Sequence, residues 1–108
     1  MKVLFIGRLA RNQLPLEHIL AICKGIKKWH DQHLEDGTYD CIHSFVDGSG
    51  IAIVNVDSLE TAHDFLTDFP GRTLFDWEII PLVDTKHSLD KGISRIEKAI
   101  ERKKQRDS

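Results

Sequence analysis

Two hydrophobic periods alternate along this chain, and the switches between them mark its elements. Lys2 to Leu9 is an apolar, β-rich run cut by Gly7 and Arg8, and it reads as a first strand. Asn12 to Pro15 make a turn, with Pro15 suited to a first helical turn. From Leu16 to Leu34 the spacing is helical: at 100° per residue, Leu16, Ile19, Leu20, Cys23, Ile26, His30 and Leu34 share one face. Asp36-Gly37 ends that helix, with glycine as a left-handed cap. Tyr39 to Val46 is a second strand, Asp47-Gly48-Ser49-Gly50 a hairpin turn, and Ile51 to Val56 a third strand. Asp57-Ser58-Leu59-Glu60 has capping-box spacing and opens a helix whose apolar residues are Leu59, Ala62, Leu66 and Phe69. Pro70-Gly71 stops it, and Leu74 to Val83 is a fourth strand with Pro81 on a sheet edge.

The order strand, helix, strand, strand, helix, strand predicts an α+β ferredoxin-like βαββαβ fold over residues 1–84. Right-handed crossovers give one four-stranded antiparallel sheet with both helices on one face. The other face is also apolar, so a second copy is expected to cover it. Residues 85–108 form a separate amphipathic helix: Ser88 is the expected N-cap, and Leu89, Ile93, Ile96 and Ile100 recur at 4, 3 and 4. That stripe is expected to dock on its own subunit or on a partner.

Composition narrows the class. No apolar run approaches the roughly 20 residues of a membrane span. The opening apolar run meets Gly7 and Arg8 too soon for a secretory signal. Two cysteines make no disulfide framework and suit a cytoplasmic protein. Fifteen basic against 17 acidic residues, net −2, argue against a dedicated nucleic-acid binder. The balance is uneven along the chain: seven basic residues crowd positions 91–108, which leaves the rest acidic.

Several segments resemble muconolactone isomerase-like proteins. Val3-Leu4-Phe5-Ile6-Gly7-Arg8-Leu9 with Leu14-Pro15 is similar to their opening strand, which ends in Arg and leads into a Leu-Pro helix start. Ile53 to Val56, Ser58, Ala62-His63-Asp64-Phe65-Leu66 and Phe69-Pro70 resemble their strand, Ser, helix, Leu-Pro segment. Trp77-Glu78-Ile79-Ile80-Pro81-Leu82 is similar to their closing strand. The resemblance covers about the first 83 residues. It implies the dimeric α/β-barrel superfamily, in which two ferredoxin-like subunits join their sheets, and a homodimer or higher assembly. No motif places a family active site on particular residues, and no cofactor or metal is implied.

Candidate chemistry therefore rests on strand alternation, with the cavity expected over the open sheet face. Alternation assigns Arg8, Tyr39, Cys41, His43, Phe45, Asn55, Asp76 and Glu78 to that face. His43 with Glu78 is a candidate proton-transfer pair, and Arg8 could stabilise a carboxylate or enolate. Tyr39, Cys41, Phe45, Asn55 and Asp76 would line a ligand. His30, on the first helix, is read either as a satisfied core histidine or as a residue reaching over the cavity. Taken together, the expectation is a small-molecule-binding barrel doing cofactor-independent isomerase or cyclase chemistry on an organic acid, lactone or polyketide-like substrate. The alternatives are a non-catalytic ligand-binding or assembly module, in which Arg8, His43 and Glu78 pair with one another, and a cofactor-free monooxygenase.

Overall fold

A computed structural model describes residues 1–107. Its elements run β1 (Lys2–Leu9), α1 (Leu16–Glu35), β2 (Tyr39–Ser44), β3 (Gly50–Asn55), α2 (Leu59–Asp68), β4 (Phe75–Leu82) and α3 (Thr85–Asp107), with a short 3₁₀ turn at Arg72–Leu74 before β4. The four strands form one antiparallel sheet in the order β2-β3-β1-β4, the ferredoxin-like arrangement.

Register fixes the two faces of the sheet. Val3 pairs with Val54 and Pro81, Phe5 with Ala52 and Ile79, and Gly7 with Gly50 and Trp77. These residues face the helices, so Leu4, Ile6 and Arg8 face away, as alternation predicts. Buried Val3, Phe5, Tyr39, Ala52, Val54, Val56 and Ala62 make the core, with Trp29, Ile42, Phe65, Leu66 and Trp77 packed against it.

Local chemistry shifts several expected boundaries. β2 stops at Ser44, because Phe45 and Val46 enter the turn. There the Phe45 amide donates to the Ser49 carbonyl at 2.6 Å, the Gly48 amide donates to the Phe45 carbonyl at 3.0 Å, and Gly48 takes a φ of 92°. Ser58, not Asp57, caps α2: its hydroxyl accepts from the Thr61 amide at 3.1 Å. α3 starts three residues before the expected Ser88 cap, with Asp84 Oδ1 accepting from the His87 amide at 3.2 Å.

The packed face of α1 is rotated by about 80° from the one read off the sequence. Ile22, Trp29 and His33 are half-buried, while Leu16, Leu20 and Leu34 are exposed. α3 has no buried residue. It projects from the body, and the radius of gyration is 20.2 Å where about 13 Å suits a compact chain of this length. No described helix is long and apolar enough to cross a membrane.

Candidate functional site: an aromatic cavity between sheet and helices

A cavity of about 280 Å³ lies between the helix-facing side of the sheet and the helices. Phe5, Gly7, Ala52, Phe75 and Trp77 form its floor, Cys23, Ile26 and His30 come from α1, and Phe65, Leu66 and Phe69 close it from α2 and the residue after it. Gly7 has a steric reason to lack a side chain, since a Cβ there would stand 2.8 Å from the Trp77 ring. The ring itself is held by its indole N–H, which donates to the Arg72 carbonyl at 2.9 Å.

The polar end of this cavity is built on Tyr39. The Trp29 indole N–H donates to the Tyr39 hydroxyl oxygen at 3.1 Å, and His30 Nδ1 lies 3.0 Å from the same oxygen. Trp29 takes one lone pair of the phenolic oxygen, and with His30 Nδ1–H donating to the other, the phenolic proton and His30 Nε2 both stay free for a ligand. Burial pushes the Tyr39 hydroxyl up to about 12, against the weaker opposing effect of the Trp29 hydrogen bond. Burial also lowers the His30 pKa below its ordinary 6.5, with Asp31 acting the other way. At neutral pH the pair is therefore a neutral acid beside a neutral base, their pKa values pushed apart. The Phe69 ring stacks on His30 at a centroid distance of 5.7 Å and fixes the imidazole plane.

Tyr39 reaches the cavity through a register shift that simple alternation does not anticipate. Tyr39 pairs with Val54, yet Cys41 pairs with Ile53, so Asp40 is an extra residue in β2. The bulge corrects the expected face of Tyr39, which joins the helix side. Beyond it the phase returns to expectation, with Cys41 and His43 opposite Ile53 and Ile51 on the open face. Asp40 is held outside by Lys2 and by Asn55, whose Nδ2 donates to Asp40 Oδ1 at 2.8 Å. Those hydrogen bonds, Lys2 first, hold the Asp40 carboxyl below the usual carboxylate range.

The remaining candidates are spread over the open face. His43 on β2 and Glu78 on β4 occupy opposite edge strands, three inter-strand spacings or about 14 Å apart, so one subunit does not bring them together. His43 borders the cavity from β2, but its register with Ile51 turns the side chain the other way. Arg8 Nε stands 3.7 Å from Glu78 Oε1 and faces Asp76 across the β1–β4 ladder. Both partners of that ion pair are more than half exposed. Phe45 lies in the hairpin turn, exposed, rather than on a strand face. The cavity is thus on the helix side of the sheet, not over the open face. Of the expected residues, His30 and Tyr39 line it. Trp29, which neither strand alternation nor the apolar stripe of α1 singles out, belongs with them through its N–H. Among the described residues no three His, Cys, Asp or Glu side chains converge as a metal site.

No protein-family model matches the chain. No curated protein matches it either. Among solved structures it is similar to 5-chloro-2-hydroxyhydroquinone dehydrochlorinase from Burkholderia phenoliruptrix AC1100 in complex with 2,5-dihydroxybenzoquinone. The TM-score is 0.59 at 16% identity, covering 81% of this chain and 98% of that one. The likeness establishes the ferredoxin-like fold.

Proposed function

We propose that this chain is a small-molecule-binding protein of the dimeric α/β-barrel, muconolactone isomerase-like kind. Its cavity takes one ring-sized organic molecule bearing a hydroxyl or carbonyl group and moves a proton on it. The observation that carries this reading is the aromatic cavity of about 280 Å³ ending on the His30–Tyr39–Trp29 array. That volume sits at the small end of ligand pockets, which suits a monocyclic lactone, organic acid or hydroxylated quinone. The dehydrochlorinase of similar fold, solved with a dihydroxybenzoquinone, is in keeping with a ring-sized ligand.

Each polar group has a role its environment favours. His30, kept neutral by burial, accepts a proton from a carbon next to a carbonyl. Tyr39, kept protonated, donates to the oxygen on which enolate charge develops. Trp29 holds the phenol in place, and the lining around it is mostly apolar. The open sheet face, carrying Leu4, Ile6, Ile53, Ile80 and Leu82, is the surface on which a second copy closes the barrel.

The test is a panel of monocyclic lactones and hydroxylated benzoquinones, 2,5-dihydroxybenzoquinone among them, incubated with the protein in D₂O. Ligand binding is read by NMR shifts at cavity residues, and proton transfer by solvent deuterium entering the ligand. The expected result is exchange that His30→Ala abolishes and that Arg8→Gln leaves intact. Loss of exchange in His43→Ala or Glu78→Gln, with His30→Ala active, would move the chemistry to the open face. One observation favours a second reading, a non-catalytic binding module: every buried side-chain polar atom among the described residues already has a partner. That reading predicts shifts at the cavity without any deuterium in the ligand.

A further inference from the structure

Independently of the cavity, two features of α3 point to what covers it. Leu89, Ile93, Ile96 and Ile100 stand along one side of the helix at 59%, 53%, 63% and 52% exposure, and no residue of α3 is buried against the body. Charge is also divided. Residues 91–108 carry seven basic and three acidic side chains, net +4, so the overall −2 leaves −6 on residues 1–90.

We propose that α3 pairs with the α3 of a second copy as an antiparallel two-helix seam. The 4-3-4 spacing is that of a coiled-coil core, one residue wide, which fits the groove of a helix better than a flat sheet. Gly92 and Ala99, seven residues apart, flank the stripe and leave room for a close-packed backbone. Gly92 has no such use within one chain, because a Cβ built there meets nothing within 4 Å. Centring the seam between Ile93 and Ile96 places Leu89 opposite the partner's Ile100.

Charge decides the direction. The helix ends in Arg102, Lys103, Lys104 and Arg106. A parallel pair would bring the two cationic ends together, whereas an antiparallel pair sets each beside the start of the partner's α3, next to its acidic body. Lys91, Arg95, Lys98 and Arg102 then lie on the side of the helix away from the seam, where they stay solvated.

The test compares the full chain with Ile93→Glu/Ile96→Glu by sedimentation. The expected result is a mass that halves in the variant while the thermal midpoint of the body holds, whether the wild type is a dimer or a tetramer. Ile96→Val should keep the wild-type mass. With Cys23 and Cys41 replaced by serine, a spin label at Lys104→Cys should report a distance of about 30 Å between copies, from a rise of 1.5 Å per residue. An unchanged mass in the double variant overturns the seam, and a distance of about 10 Å makes it parallel. A halved mass without the 30 Å distance places the stripe on the partner's body instead. None of these outcomes depends on the cavity binding anything, and a cavity that bound nothing would leave them unaltered.

Discussion

Tyr39→Phe removes one oxygen, and the structure says what that oxygen holds. Tyr39 is 6% exposed, and its hydroxyl partners both the Trp29 N–H and His30 Nδ1. The ring remains, so the Phe65 and His30 contacts and the core volume survive. What is lost is satisfaction of two polar groups on α1. A buried group left unpaired costs about 1–3 kcal/mol. Trp29 and His30 are only half-buried, so the lower end applies to each, about 2 kcal/mol in all. At 4–8 °C per kcal/mol for a domain of this size, the thermal midpoint should fall by about 10 °C. Calorimetry and urea unfolding both read this, and the urea slope should be unchanged. A cycle with His30→Leu should show coupling of about 1 kcal/mol, because each variant already breaks the shared contact. A Tyr39→Phe protein within 0.5 kcal/mol of wild type, with no coupling to His30, would refute the array as a stabilising unit and leave the hydroxyl as a spectator.

Three further outcomes follow from the same geometry. Tyr39 is the chain's one tyrosine, so an ultraviolet titration of the folded protein reads it directly, and its midpoint should lie near 12 rather than 10. The native state then holds the proton that the unfolded chain releases, so this contribution to stability falls as pH rises through 10. His30 has the opposite sign: its folded pKa lies below 6.5, the unfolded chain binds the proton more readily, and stability should fall as pH drops below 6.5. Chemical denaturation across pH 7 to 5 should show a slope that is shallower in His30→Gln. Ser58→Ala removes the oxygen that accepts from the Thr61 amide and should cost about 1 kcal/mol by urea unfolding, with no change in ligand binding at the cavity.

Much of the fold was legible because hydrophobic period and punctuation agree in this chain. The β1 run, the Asp47-Gly48 turn and the Pro70-Gly71 stop lead to the observed strand order, and alternation places the faces of β1, β3 and β4 correctly. The face of α1 was harder to read, because its three leucines are all exposed. Leu16, Leu20 and Leu34 draw the apolar centre toward solvent, while Trp29 and His33 turn their rings inward. The site was less legible still. A one-residue bulge carries no hydrophobic signature, and period-2 reasoning runs straight through Asp40 and puts Tyr39 on the wrong face. The signal that could have flagged it is compositional: an acidic residue inside an apolar strand, with Lys2 and Asn55 placed to receive it across the sheet.

That cluster joins the two faces of the sheet in one causal chain. Asn55 lies on the open face beside residues that strand alternation selects for chemistry, and there it is committed to holding structure. Its side chain donates to Asp40 and to the Gly37 carbonyl and accepts from Lys2 at 2.9 Å. Gly37, at a φ of 80°, makes the turn that leads into β2, so Asn55 ties that turn and the bulge together. The bulge in turn sends the Tyr39 ring through to the helix side, where its hydroxyl meets Trp29 and His30 on α1. A polar network on one face therefore sets the position of the hydroxyl on the other. Without the extra residue, the phase that puts His43 on the open face would put Tyr39 there as well, and His30 would stack on Phe69 over an entirely apolar floor. The chemistry proposed for the cavity thus depends on residues that never touch it, and the exposed Lys2–Asp40–Asn55 cluster is better understood as the support of the cavity's polar end than as a rival to it.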